Sequence, residues 1–192
     1  MVTKPGERKF QILQTVAQML EQPKSEKITT AALAQRLDIS EAALYRHFAS
    51  KAQMFEGLIE FIEQTVFGLI NKITQEEKSG LKQVEGIVSL LLGFAQKNRG
   101  MTRVLTGDAL VNENERLQQR INQLLDRIEA TLKQSLRMAA TQGEMGTAVD
   151  VGAHANVLLC YVVGRWSQFA KSGFTREPMA HWEAESAILM GK

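Results

Sequence analysis

The chain has 192 residues, 44% of them apolar and 23% charged, and a net charge of +2. This is the composition of an ordinary globular protein with a sizeable core, and the single cysteine excludes an intrachain disulfide. The longest apolar run of the second half, residues 157–163, is too short to cross a bilayer, and no basic segment leads an apolar one at the start. A cytoplasmic protein is therefore expected, with the single cysteine, Cys160, as a small buried side chain.

Residues 7–20 repeat Phe10, Leu13, Val16, Ala17 and Leu20 at spacings of three and four, which predicts a first helix. Pro23-Lys24-Ser25-Glu26 ends it. Thr29 is placed to cap a second helix, with Ile28 and Leu33 as a hydrophobic staple across the cap. Leu37-Asp38-Ile39-Ser40 reads as a turn. Ser40 caps a third helix whose inward anchors are Ile39, Leu44 and Phe48. Ser50 followed by Gln53 is a capping box opening a long fourth helix with a stripe of Phe55, Ile59, Ile62, Val66, Leu69 and Ile73.

Helices are also predicted over residues 81–96, 113–137, 151–171 and about 179–190, with one or two short ones in 98–112. The 113–137 stripe is Leu117, Ile121, Leu124, Ile128 and Leu132. No stretch alternates at period two long enough for a strand, so the fold is expected to be all-α. Residues 1–50 would form a DNA-binding unit and 51–192 a larger helical body, with the fourth helix serving both.

The first three helices have the spacing of a helix-turn-helix, whose second helix enters the major groove. Glu41, Ala42, Tyr45, Arg46 and His47 point outward. Ala42 and Ala43 keep the first turn slim, so Glu41 to Ala43 can lie against base edges. Tyr45 and His47 can donate to phosphate, and Arg46 to phosphate or guanine. Thr30 and Lys51 sit at helix starts, where backbone N–H groups favour an anion. Lys4, Arg8 and Lys9 add a short basic arm. Residues 1–51 carry eight Lys/Arg against five Asp/Glu, and the remainder fifteen against sixteen; the positive bias falls on the DNA end.

The segment from Thr29-Thr30-Ala31-Ala32-Leu33-Ala34 to Ile39-Ser40-Glu41-Ala42-Ala43-Leu44-Tyr45-Arg46-His47-Phe48-Ala49-Ser50-Lys51 resembles the DNA-binding signature of the TetR superfamily. That resemblance implies an all-helical, TetR-like homodimer on palindromic double-stranded DNA. Within the superfamily, residues 54–63, 90–95, 98–107 and 115–124 resemble the nucleoid occlusion factors. Such a resemblance implies a nucleoid-associated protein that, on DNA, antagonises the tubulin-like division protein FtsZ. Phe61, Leu90, Gly93 and Asn98 match the family's partner surface; Lys97, also expected there, stands where arginine is common, and Leu69 replaces another arginine.

Independently of the family, Phe61 points about 120° from the stripe of its helix, beside Gly57, Gln64 and Gly68. It either packs on another helix or serves a binding surface. Gly93 in a helix interior costs roughly 1 kcal/mol relative to Ala, a cost that close approach of another backbone would explain. Helix 151–171 is apolar on two sides: Leu158, Tyr161, Val162, Trp166 and Phe169 on one, Val157, Cys160, Val163 and Ala170 on the other. One side would face a second copy, and Leu158, Val162, Trp166 and Phe169 are expected to take part.

His47, His154 and His181 are scattered and no phosphate loop is present, so neither catalysis nor a cofactor is expected. The rival to a division antagonist is a ligand-responsive repressor of the same fold. It would need a cavity lined by residues such as Phe94, Met101, Trp166 and Phe169.

Overall fold

Six helices begin at a polar side chain that accepts a backbone N–H of the first turn: Thr29, Ser40, Ser50, Ser79, Asn114 and Asp150. Each satisfies a donor that the helix itself leaves unpaired. The computed structural model describes residues 5–22, 28–146 and 149–191, and among these it contains no strand. The helices are α1 (Pro5–Leu20), α2 (Thr30–Arg36), α3 (Glu41–Tyr45), α4 (Lys51–Glu76), α5 (Gly80–Lys97), α6 (Arg99–Leu105), α7 (Glu115–Thr141), α8 (Val151–Lys171) and α9 (Trp182–Leu189). A single 3-10 turn, Asp108–Leu110, joins α6 to α7. The expected stop at residues 23–26 and Lys4 of the basic arm lie outside the described residues.

Helices α1 to α3 close around Ile12, Val16, Leu20, Ile28, Leu33, Leu44 and Phe48, all buried. The α2–α3 turn works because Asp38 takes a left-handed backbone (φ 53°), which aspartate tolerates better than most residues. At the start of α4, Gln53 N–H donates to Ser50 Oγ at 3.2 Å and Gln53 Oε1 accepts from Ala49 N–H at 2.9 Å. The capping box is reciprocal, shifted one residue on its return bond.

Helix α4 is the spine. Its buried row is Phe55, Leu58, Ile59, Ile62, Val66 and Ile70, so the stripe continues at Ile70 rather than at Leu69, which is 42% exposed. A strict four-three alternation averages 3.5 residues per turn and drifts off a straight helix of 3.6. Helix α5 runs antiparallel to α4 and packs on α7 and α8. Gly80 makes its contact with α7 possible: a Cβ there would lie 2.3 Å from Ala139 N. Buried Gln83 donates to the carbonyls of Thr74 and Glu77 and accepts from Ser135 Oγ, so its amide joins α4, α5 and α7 without an unpaired group. Arg120 on α7 forks onto Glu63 of α4 at 2.7 and 3.2 Å; that hydrogen bond raises the guanidinium pKa further.

The three N-terminal helices are fixed to the rest of the chain through α1. It packs against both α4 and α6, and Gly100 of α6 lies so close to it that a Cβ would stand 1.9 Å from Ala17 O. Arg103 donates to the carbonyls of Leu20 and Gln22 and pairs with Asp108.

Besides Leu69, three sequence expectations fail. Phe10 is not part of the α1 core; it is 45% exposed, and Ile12 takes the buried place. Cys160 is exposed rather than buried. Leu158, Val162, Trp166 and Phe169 do not form an outward face on α8. They are 0%, 0%, 1% and 1% exposed within their own chain, and Trp166 Nε1 donates to Leu91 O at 3.0 Å. The larger side chains of α8 fill the body, and the outward row is the slimmer Ala153, Val157, Cys160 and Gly164. Of the second face expected for α8, Val157 and Cys160 are exposed, while Val163 and Ala170 are half-buried.

Candidate nucleic-acid interface and partner groove

Ser40 sets the geometry of α3 by accepting from Ala43 N–H at 3.1 Å, and buried Leu44 anchors it from below. Glu41, Ala42, Tyr45 and Arg46 are thereby exposed along one side, with Ala43 and His47 half-buried. Thr29 caps α2 through Ala32 N–H at 3.1 Å, which presents half-buried Thr30 beside α3. Thr30 Oγ1 donates to Glu41 Oε2 at 2.6 Å, and the Tyr45 hydroxyl donates to Thr30 Oγ1 at 3.4 Å. This chain of hydroxyls ends on the carboxylate and links the start of α2 to both ends of α3.

Lys51 stands at the first position of α4 as expected, but its ammonium pairs with Glu113, ahead of α7, and lies 5.7 Å from the Phe55 ring. A phosphate at this helix start would compete with that carboxylate. Of the basic arm, Arg8 bonds Gln11 and Lys9 lies over the Phe48 ring.

The second site lies between α4 and α5. Leu69, Leu90, Gly93, Phe94, Lys97 and Asn98 line a surface groove of about 570 Å³, with Gly86, Ser89, Gln96 and Met179 completing it. Four of the five residues expected at a partner surface thus share one groove. Gly93 leaves a gap in the wall: a Cβ there would meet nothing within 4 Å, so no neighbour in this chain explains a glycine at that place. Asn98 Nδ2 donates to Phe94 O at 2.7 Å and closes the end of α5. Gln96 holds the opposite rim, accepting from Met179 N–H at 3.1 Å and donating to Glu177 at 3.2 Å. Sequence periodicity gave no sign of Met179, because it reaches the groove from a turn distant in the chain.

Phe61, the fifth residue, is half-buried. Its ring meets Phe10 of α1 at 5.7 Å between centroids, tilted by 58°. Of the two readings of its off-stripe direction, the ring contact bears out packing on another helix, and one side of the ring remains accessible.

A capped, slim second helix on a three-helix unit, mounted on an all-α body, defines a TetR-type DNA-binding protein. Residues 12–58 match the model of bacterial regulatory proteins of the tetR family. Residues 78–192 match the SlmA-like tetracyclin repressor-like C-terminal domain. The chain belongs to the SlmA family. It is 49% identical over 98% of its length to the nucleoid occlusion factor SlmA of Marinomonas sp. (strain MWYL1), covering 96% of that protein. It is 50% identical over 97% to the protein of the same name from Alteromonas mediterranea, covering 95% of it. Among solved structures, a TetR transcription regulator from Haloarcula marismortui superposes with a TM-score of 0.81 at 16% identity, covering 97% of each chain. The fatty acid degradation regulator FadR from Bacillus halodurans gives 0.80 at 16% identity, over 98% of this chain and 97% of that one. At such identity these two establish the fold alone.

Proposed function

We propose that this protein is a nucleoid occlusion factor: a homodimer that binds palindromic double-stranded DNA through α3 and, while bound, antagonises FtsZ through the α4–α5 groove. It is a binding protein and not an enzyme, and it acts in the cytoplasm on the nucleoid. DNA is met by Glu41 and Ala42 at base edges, by Arg46, and by Thr30, Tyr45 and His47 along the backbone. Ala43 contributes by its small size, and Thr29 and Ser40 by the caps they form. Outward residues of α8, Val157, Cys160 and Gly164, face the second copy in place of the four core residues first expected there.

The observation that carries the partner reading is the groove. Leu90, Gly93, Lys97 and Asn98 line one surface with exposed Leu69, which suits an apolar segment of another protein bearing a carboxylate for Lys97. A ligand-responsive repressor would have to use the same groove: Phe94 lines it, whereas Trp166 and Phe169, also offered as cavity walls, are packed in the core. The deciding experiment maps DNA binding across the genome and, in parallel, sediments FtsZ filaments with the protein, with and without a recovered palindromic site. Co-sedimentation enhanced by that DNA is expected. Specific DNA binding with no FtsZ in the pellet, loaded or unloaded, would return the protein to the conventional repressors.

A further inference from the structure

The connection from α8 to α9, residues 172–181, is pinned at several points. Ser172 Oγ accepts from the backbone N–H groups of Thr175 and Arg176 at 3.2 and 3.0 Å. The Phe174 ring is buried and meets Phe169 edge-on at 5.1 Å. Arg165 of α8 donates through Nε and Nη2 to the carbonyls of Glu177 and Pro178. From the other side, Gln96 of α5 bonds Met179 N–H and the Glu177 carboxylate. Side chains on such a segment stand in fixed places, which lowers the ordering cost of binding anything to them.

Between this connection and α8 lies a recess of about 480 Å³. Arg165, Arg176 and His181 line it against one acid, Glu177. Met179 turns the other way, into the α4–α5 groove, so the two cavities are separate and share only the segment between them. The positive charge in the recess is poorly answered. The Glu177 carboxylate accepts from Gln96 at 3.2 Å, on the groove side. Arg176 makes no ion pair among the described residues. Arg165 meets Glu185 only at 3.8 Å, longer than a charge-assisted hydrogen bond, and the other oxygen of that carboxylate accepts from the Tyr161 hydroxyl at 2.5 Å.

We propose that this recess binds a small phosphorylated compound bearing hydroxyl groups, with its phosphate between Arg165, Arg176 and His181. The planar fork of arginine matches phosphate oxygens, and the double charge of a phosphate suits several converging cations better than one carboxylate does. The volume falls in the range of small-molecule sites and exceeds what a bare phosphate fills. The rest of the lining is polar apart from Ala180. Gln168 offers an amide, and the Thr175 hydroxyl, whose proton goes to Ser172 O, can accept. No aromatic lines the recess to stack on a base, so a sugar phosphate fits better than a nucleotide. The Arg165 side chain is only 15% exposed, deeper than the backbone of a DNA duplex reaches.

The test is calorimetric titration of the full chain with ribose 5-phosphate, with inorganic phosphate, and with ribose alone. Saturable binding is expected for the first two, tighter for the sugar phosphate, and none for ribose. Arg176→Ala should weaken binding about tenfold, and Arg176→Lys, which keeps the charge without the fork, should weaken it less. Adding His181→Ala should abolish saturation. Both residues are exposed, so the thermal midpoint should stay near that of the unmodified chain. The proposal is overturned if no phosphate probe binds saturably, or if the Arg176→Ala/His181→Ala double variant binds as the unmodified chain does. It is overturned equally if Arg46→Ala, and not Arg176→Ala, removes the binding, because the anion then sits on the recognition face. Sedimentation with phosphatidylglycerol vesicles separates a lipid source of phosphate: Arg176-dependent retention on vesicles without binding of either soluble probe would also overturn it.

Discussion

The recognition face and the α4–α5 groove are both exposed, yet they are built by opposite means. The first is polar and braced: caps at Thr29 and Ser40 hold two short helices, and Thr30, Glu41 and Tyr45 bond to one another. The second is largely apolar, with a glycine left open in its wall. A surface of fixed donors suits a ligand whose charges repeat regularly, as DNA phosphates do. An open apolar channel suits a side chain supplied from outside, where burial provides the affinity.

The contrast can be broken most severely at Ala42. Ala42→Glu puts a carboxylate where the helix must approach the groove floor, and specific DNA binding should disappear in footprinting while the helical circular-dichroism signal stays intact. A protected palindrome with this variant would show that α3 does not enter the groove as described. On the body, two substitutions five residues apart on α8 should part company. Val157→Glu, at an exposed site, should yield a folded chain with the monomer mass of 21.4 kDa in light scattering. Val162→Glu buries a carboxylate in the core and should unfold the protein. Equal behaviour of the two would undo the assignment of the outer face.

Gly93→Ala is smaller and more discriminating. It should raise stability by up to about 1 kcal/mol, because alanine is the better helix former and its methyl meets nothing in this chain. It should at the same time weaken FtsZ binding; stability and affinity rising together would remove Gly93 from the contact. The smallest effect concerns Lys51. Glu113→Gln removes the carboxylate that holds its ammonium, and the dependence of DNA affinity on salt should steepen by about one unit as Lys51 gains a phosphate. An unchanged slope would leave Lys51 a link between head and body.

The recognition unit was legible in sequence because its signals are local. A hydroxyl three residues before the N–H it accepts, or a staple across a cap, requires no knowledge of what packs above. The order and extent of the long helices followed from apolar period in the same way. What a helix face turns toward did not. On α8 both sides are apolar, and the side holding Trp166 and Phe169 is the one buried in the body; Val157, Cys160 and Gly164 leave an exposed outer strip of smaller side chains. Phe10 and Leu69 follow the same lesson: each satisfies a three-four count, and each is displaced by a neighbour, Ile12 or Ile70, nearer the true axis of burial. Leu90, Gly93, Lys97 and Asn98 came together because they lie on one helix, and resemblance named them. Met179 and Glu113 meet their sites from distant turns, which no local pattern records.

Gly100 has one more bearing. Counted along the chain, the tetR-family match ends at residue 58, and transplanting a foreign head would seem a matter of cutting there. The seam in space is elsewhere: α6 rests on the main chain of α1 at Ala17 with no room for a methyl group, and Arg103 grips the two carbonyls beyond it. A chimera that joins another regulator's head to this body inherits half of that seam. Its success will turn on whether the borrowed first helix lies at the same height over Gly100, and swapping residues 5–22 together with 99–108 is the exchange that preserves the fit.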